Sequence, residues 1–171
     1  MILAIDNGVS GSIACLNKNG KVILFLPTPV KKELNYTKEK AWLNRLDHHA
    51  LKELLFFIFR ENDNSFENIS VYIERPMINP MRWKASMSAI RCLEALVVVL
   101  EEVKLPSPTK YIDSKEWQKT MLPSGLKGAD ELKRAGVNVA ERMFPGRKFI
   151  PDADALLMAE YLRRKENGEM K

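Results

Sequence analysis

A chain of 171 residues, 46% hydrophobic and 29% charged, has room for one core and excludes both a disordered protein and a two-domain enzyme. Its 27 basic against 22 acidic side chains leave +5, and a pI near 9.2 suits a polyanionic partner without specifying one. Only Cys15 and Cys92 are present, which excludes a disulfide framework and a zinc spacing; with no secretory leader and no apolar run near the ~20 residues of a membrane span, a cytoplasmic setting is expected.

The opening predicts three strands, Ile2 to Ile5, Gly11 to Leu16 and Val22 to Leu26, with Asn17-Lys18-Asn19-Gly20 as a hairpin turn. From Pro27 to Leu43 the chain is polar and without a clean period, so a surface connection is expected. Asp47 is placed to cap a helix through about Arg60, where Leu51, Leu54, Leu55 and Ile58 follow helical spacing. Ile69 to Ile73 reads as a short strand ending at Glu74, and Pro76 stops it. A long apolar helix is predicted from Lys84 to Val103, rich in small residues and a candidate subunit interface. Tyr111 and Ile112 make a last strand, after which Asp113 and Glu116 have the spacing of a capping box for a helix ending at Met121. Helices over Asp130 to Phe144, despite Gly136, and over Ala153 to Arg164 complete the chain. The order β-β-β-α-β-α-β-α-α-α implies an α/β fold with a five-stranded mixed sheet, an antiparallel meander joined to parallel strands and flanked by helices. Residues 1–165 are expected to form the domain and 166–171 a flexible tail.

Four acids stand at element ends: Asp6 after the first strand, Glu74 at the end of the fourth, and Asp152 with Asp154 at the start of the last helix. Singly, each has a structural explanation. An Asp after a strand forms turns, and Asp152 and Asp154 suit a helix N-terminus and its dipole. Jointly they suggest a site, because parallel sheets bind ligands beyond the carboxyl ends of their strands, where Asp6 and Glu74 meet if their strands are neighbours. Crowded carboxylates are costly to ionise unless a hard divalent cation neutralises them, and such ions serve phosphodiester hydrolysis. His48 and His49 are adjacent on a helix and share no ligand face, so a zinc hydrolase has no ligand set.

The segments that carry these acids also resemble a known family. Ile5-Asp6-Asn7-Gly8-Val9-Ser10-Gly11 is similar to the opening motif of RuvC-type Holliday junction resolvases, Tyr72 to Pro76 to the strand of their second acid, Trp117-Gln118-Lys119 to a basic segment after the last strand, and Ala153 to Ala159 to their closing helix. Phe144-Pro145 precedes that helix as in phage-type relatives. The resemblance spans nearly the whole chain. It implies an RNase H-like fold, a homodimer with two active sites, two Mg²⁺ or Mn²⁺ ions in each, and in-line hydrolysis that nicks paired strands of a four-way DNA junction.

Carried over by position, Asp6, Glu74 and Asp154 match the family's metal-binding acids. Relatives usually place the remaining acid three or four positions before Asp154, where this chain has Pro151 or Ile150, so Asp152 either substitutes from the loop or only caps. The active-site lysine matches Lys133, with Lys127 as an alternative; by itself Lys133 reads as a solvated helix lysine. Arg82, Lys84, Lys115, Lys119 and Lys127 are candidate DNA-binding cations. Trp83 and Trp117 either stack on bases or anchor loops. Two other readings stand beside the nuclease: a noncatalytic protein of the same fold that binds branched DNA, and an actin-like nucleotide-binding ATPase, whose two lobes exceed the length available.

Overall fold

The computed structural model describes residues 1–36, 38, 40–105, 109–149 and 152–170. Four residues of alternating orientation, β1 (Ile2–Ile5), are buried on both faces and form the centre of the sheet. β2 (Ser12–Leu16) and β3 (Val22–Pro27) follow as an antiparallel meander, its tight turn held by the Asn17 side chain, which accepts from the backbone N–H of Asn19 and Lys21 at 3.0 and 2.9 Å. On the other side of β1 lie β6 (Ser70–Glu74) and β7 (Lys110–Ile112), both parallel, giving the order β3-β2-β1-β6-β7.

Between β3 and β6 the chain departs from the expected surface connection. Val30–Leu34 (β4) and Trp42–Leu46 (β5) pair antiparallel as a separate two-stranded sheet. The physical reason is that only Leu46, at the end of β5, enters the core, while the other residues of both strands are exposed or half-buried, so no apolar alternation marks the hairpin. Its stability comes from the backbone ladder and from Glu33, whose carboxylate meets Lys31 at 2.8 Å and Arg45 at 3.0 Å. The element order is therefore five strands, then a helix, before β6.

The strand alternation sorts the core into two layers. Leu3, Ile5, Ile13 and Cys15 face α1 (His48–Glu61) and α2 (Trp83–Glu102), which bury Leu51, Leu55, Leu96 and Leu100 against them. A single turn of 3-10 helix, Pro80–Arg82, leads into α2. Ile2, Ala4, Ala14 and Leu16 face the opposite layer of α3 (Ser114–Met121), α4 (Ala129–Met143) and α5 (Asp154–Glu166). Here Ala4 and Ala14 meet a helix that itself offers Ala155 and Ala159, so α5 lies close on the sheet and is buried from Ala155 through Leu162. Burial of that many groups in one layer leaves the first residue of α5 little freedom.

Asp47 caps α1, accepting from the N–H of His49 and Ala50 at 3.1 Å each. The capping box expected at α3 does not form: Asp113 occupies the cap position without a side-chain bond, and Glu116 is drawn to Tyr161 Oη (3.0 Å) and Lys165 Nζ (2.8 Å) on α5. A tertiary partner that carries full charge outcompetes one backbone N–H. Residues 166–170, where a tail is expected, begin inside α5; Glu166 accepts from Tyr72 Oη at 2.9 Å, and Glu169 pairs with Arg163 at 2.7 Å. Lys171 lies outside the described residues. No helix among the described residues is long and apolar enough to cross a membrane.

Candidate active site

Parallel pairing of β1 with β6 runs in the register Ile5↔Ile73, so the next residues, Asp6 and Glu74, emerge side by side at the carboxyl ends of two central strands. Their carboxyl groups are close enough for each to act on the other's ionisation, and Glu74 accepts from Trp117 Nε1 at 3.2 Å. Trp117 is fully buried, which of its two expected roles favours anchoring over base stacking: it packs α3 into the core and holds Glu74. Arg75 turns away and pairs with Asp113 at 3.5 Å.

From the opposite layer, Asp152 and Asp154 arrive at the head of α5. Oxygen atoms of Asp6, Asp152 and Asp154, one from each, all lie within 4.8 Å of one another. Asp152 is buried at 3% exposure and is not the N-cap, a position held by Ala153. Its Oδ1 accepts from the Asp154 N–H at 3.2 Å and, at 3.5 Å, from the hydroxyl of Ser12; Oδ2 lies 3.4 Å from Lys133 Nζ. Lys133 comes from α4 with its side chain more than half exposed. Lys127 is exposed ahead of that helix, its backbone N–H bonded to Glu131 at 2.7 Å. Residues 150 and 151, where the resemblance looked for the remaining acid, lie outside the described residues.

The electrostatics follow from packing acids together. Burial, then the neighbouring Glu74 and Asp152, holds the Asp6 carboxyl well above its ordinary range. Glu74 is raised by burial, opposed by the adjoining Asp6 and by its bond to Trp117. Asp154 is pushed up to about 7 by burial and by the charges of Asp152 and Asp6, with Lys133 opposing. Carboxyls crowded in this way hold protons above their ordinary range unless a cation neutralises them. The donor set is all oxygen, three aspartates with a glutamate alongside, and fits Mg²⁺ or Mn²⁺ better than a metal that seeks nitrogen or sulfur. His48 and His49 sit together at the start of α1, ring centroids 4.5 Å apart, and take no part.

Two supporting residues escaped the sequence reading as participants. Ser12 has no local signature, since its role depends on a residue 140 positions away. Gly11 belongs to the opening motif, and its reason is steric: a Cβ there would lie 2.1 Å from the Asp6 carbonyl oxygen and 3.0 Å from Asp6 Oδ2. Gly11→Ala is therefore expected to displace Asp6 and cost about 3 kcal/mol of stability, read from the denaturant midpoint. An unchanged midpoint would show that the turn yields freely.

The candidate DNA-binding cations Arg82, Lys84, Lys115, Lys119 and Lys127 are all exposed, and none joins an ion pair among the described residues. Arg82 and Lys84 flank the start of α2, while Lys115 and Lys119 lie on α3.

No protein-family model and no curated protein sequence matches the chain. Solved structures do. RuvC of Thermus thermophilus in complex with a Holliday junction substrate aligns with 98% of this chain and 95% of its own length, at a TM-score of 0.52 and 13% identity. A second structure of Thermus thermophilus RuvC aligns over 98% and 96%, at 0.54 and 12%. Likeness at that identity is likeness of fold, and this chain has the RuvC-like, RNase H-like α/β fold, a mixed five-stranded sheet with helices on both faces.

Proposed function

We propose that this protein is a metal-dependent endodeoxyribonuclease that cuts Holliday junctions or related branched DNA. The observation that carries the proposal is the convergence of Asp6, Glu74, Asp152 and Asp154 from three distant stretches of sequence at the carboxyl ends of β1 and β6. Support comes from the fold, shared over nearly its full length with a protein solved on a Holliday junction.

Asp6, Asp152 and Asp154, with Glu74 beside them, are the residues that would hold Mg²⁺ or Mn²⁺, two per site. When bound, such ions stabilise charge on the scissile phosphate and make water a competent nucleophile. The protein's own groups have separable tasks. Trp117 and Ser12 orient Glu74 and Asp152, and the sheet register holds Asp6 against Glu74. Lys133, half-exposed beside Asp152, is placed to meet a phosphate oxygen and stabilise its developing charge. Arg82, Lys84, Lys115, Lys119 and Lys127 hold the flanking backbone. Two copies of the chain form the acting unit, each supplying one cut, in the cytoplasm of a bacterial or phage-infected cell.

The test is a cleavage assay with Mg²⁺ on a four-way junction, a flap and a linear duplex of matched sequence. Symmetric nicks in the junction, lost with EDTA and at least tenfold faster than nicking of the duplex, are expected. Tight junction binding without cleavage in Mg²⁺ or Mn²⁺ would instead identify a noncatalytic binder.

A further inference from the structure

The hairpin that the sequence concealed builds a second feature. Between β4–β5 and α2 lies a groove of about 960 Å³ whose lining includes Lys31, Trp42 and Arg45 from the hairpin and Trp83, Lys84 and Arg91 from the helix. Trp42 and Trp83 are 66% and 64% exposed, unusual for the largest apolar side chain. Glu33 is the acid among the lining residues and is engaged by Lys31 and Arg45, whereas Lys84 and Arg91 have no acidic partner among the described residues. Tyr36, itself 75% exposed, sits under both guanidinium groups, 4.3 Å from Arg45 and 5.7 Å from Arg91. Arg45 Nη2 is buried without a hydrogen-bond acceptor among the described residues.

We infer that this groove binds a single-stranded stretch of DNA running up to the acid cluster, an inference that rests on the nuclease reading for its biological sense. Exposed aromatic planes interleaved with cations are the chemistry that holds unpaired nucleotides: bases stack on the rings, and phosphates pair with Arg and Lys. The volume is that of a pocket for a drug-sized ligand, a few nucleotides' worth, and too small for a duplex. Position adds the link to the site. Val9 lines the groove and belongs to the turn that begins at Asp6, and Asn7 of that turn donates to the Ala89 carbonyl of α2 at 3.1 Å. A strand in the groove thus ends against the turn that carries Asp6, where a strand splayed from a branch point would enter the site.

Intrinsic fluorescence tests this in the full chain carrying Asp6→Asn to prevent cutting. Trp117 is fully buried, so changes on adding a short oligothymidylate report Trp42 and Trp83. Quenching is expected, and Trp42→Ala or Arg91→Ala should weaken oligothymidylate binding about tenfold while leaving duplex affinity unchanged. Arg91→Lys, which keeps the charge, should recover part of the loss; thermal melts verify folding of each variant. Absence of quenching, or affinity for oligothymidylate equal to the parent's in both alanine variants, overturns the inference. So does a shift of these variants from dimer to monomer in sedimentation with oligothymidylate binding intact, which would make the groove a subunit contact. If the unsubstituted protein leaves branched DNA uncut but binds oligothymidylate through Trp42 and Arg91, the groove stands and the nuclease reading falls.

Discussion

Asp6→Asn is expected to lower Mg²⁺-dependent junction cleavage by about a thousandfold or more while leaving junction affinity within a fewfold. Asp6 neighbours every other acid of the cluster: it stands beside Glu74 at the ends of paired strands and lies with Asp152 and Asp154 inside the 4.8 Å group. An amide at this position removes one negative charge and one oxygen donor, so the cation is held weakly and off centre. The cations proposed to carry DNA lie elsewhere, on α2, α3 and the loop before α4, which is why binding should survive. Junction nicking in gels and affinity by fluorescence anisotropy in Ca²⁺ give the two readouts. Cleavage at the parent rate would remove the acid cluster from the chemistry. Asp152→Asn, run in parallel, separates ligand from structural support: the amide keeps an oxygen for the Asp154 N–H, so activity near the parent's would confine Asp152 to holding α5.

Without divalent ions, the folded protein should lose stability as pH rises from about 4 to about 7, and Mg²⁺ or Mn²⁺ should restore it increasingly over the same window. The sign follows from the carboxyls whose folded-state pKa is raised. Asp154, moved from 3.8 to about 7, and Asp6, held well above its ordinary range, keep protons in the folded state that the unfolded chain releases near pH 4. The folded state then binds more protons between those limits, and stability falls with pH until Asp154 and its neighbours are ionised. For Asp154 the shift corresponds to about 4 kcal/mol at most. A divalent ion binds the deprotonated cluster and not the protonated one, so its stabilising effect grows as protons leave. Thermal melts at pH 5 and pH 8, with EDTA and with millimolar Mn²⁺, should show a lower Tm at pH 8 in EDTA and a larger Mn²⁺ gain there. Asp6→Asn should flatten both trends. A Tm in EDTA that does not fall between pH 5 and pH 8 would contradict the crowding on which the proposed site depends.

What the amino-acid sequence determined by itself was local. Short apolar runs bounded by turn residues specified β1, β2 and β3, helical spacing specified α1, α2 and α5, and the positions of Asp6, Glu74 and Asp154 at element ends were legible because strand and helix limits are set by nearby residues. Tertiary structure decided the rest. The parallel pairing of β1 with β6 in the register Ile5↔Ile73 makes neighbours of two acids 68 positions apart, and no local pattern encodes a strand's partner. Lys133 meets Asp152 because α4 packs on α5, and Trp117 serves Glu74 because α3 docks on the same layer. The β4–β5 hairpin stayed hidden since only Leu46 of its two strands enters the core, and the Glu33–Arg45 pair across the strands and contact with α2 stand in for apolar alternation. Hydrophobic periodicity reports which side of an element is buried; it is silent on which elements meet, and a site assembled across two layers is made of those meetings.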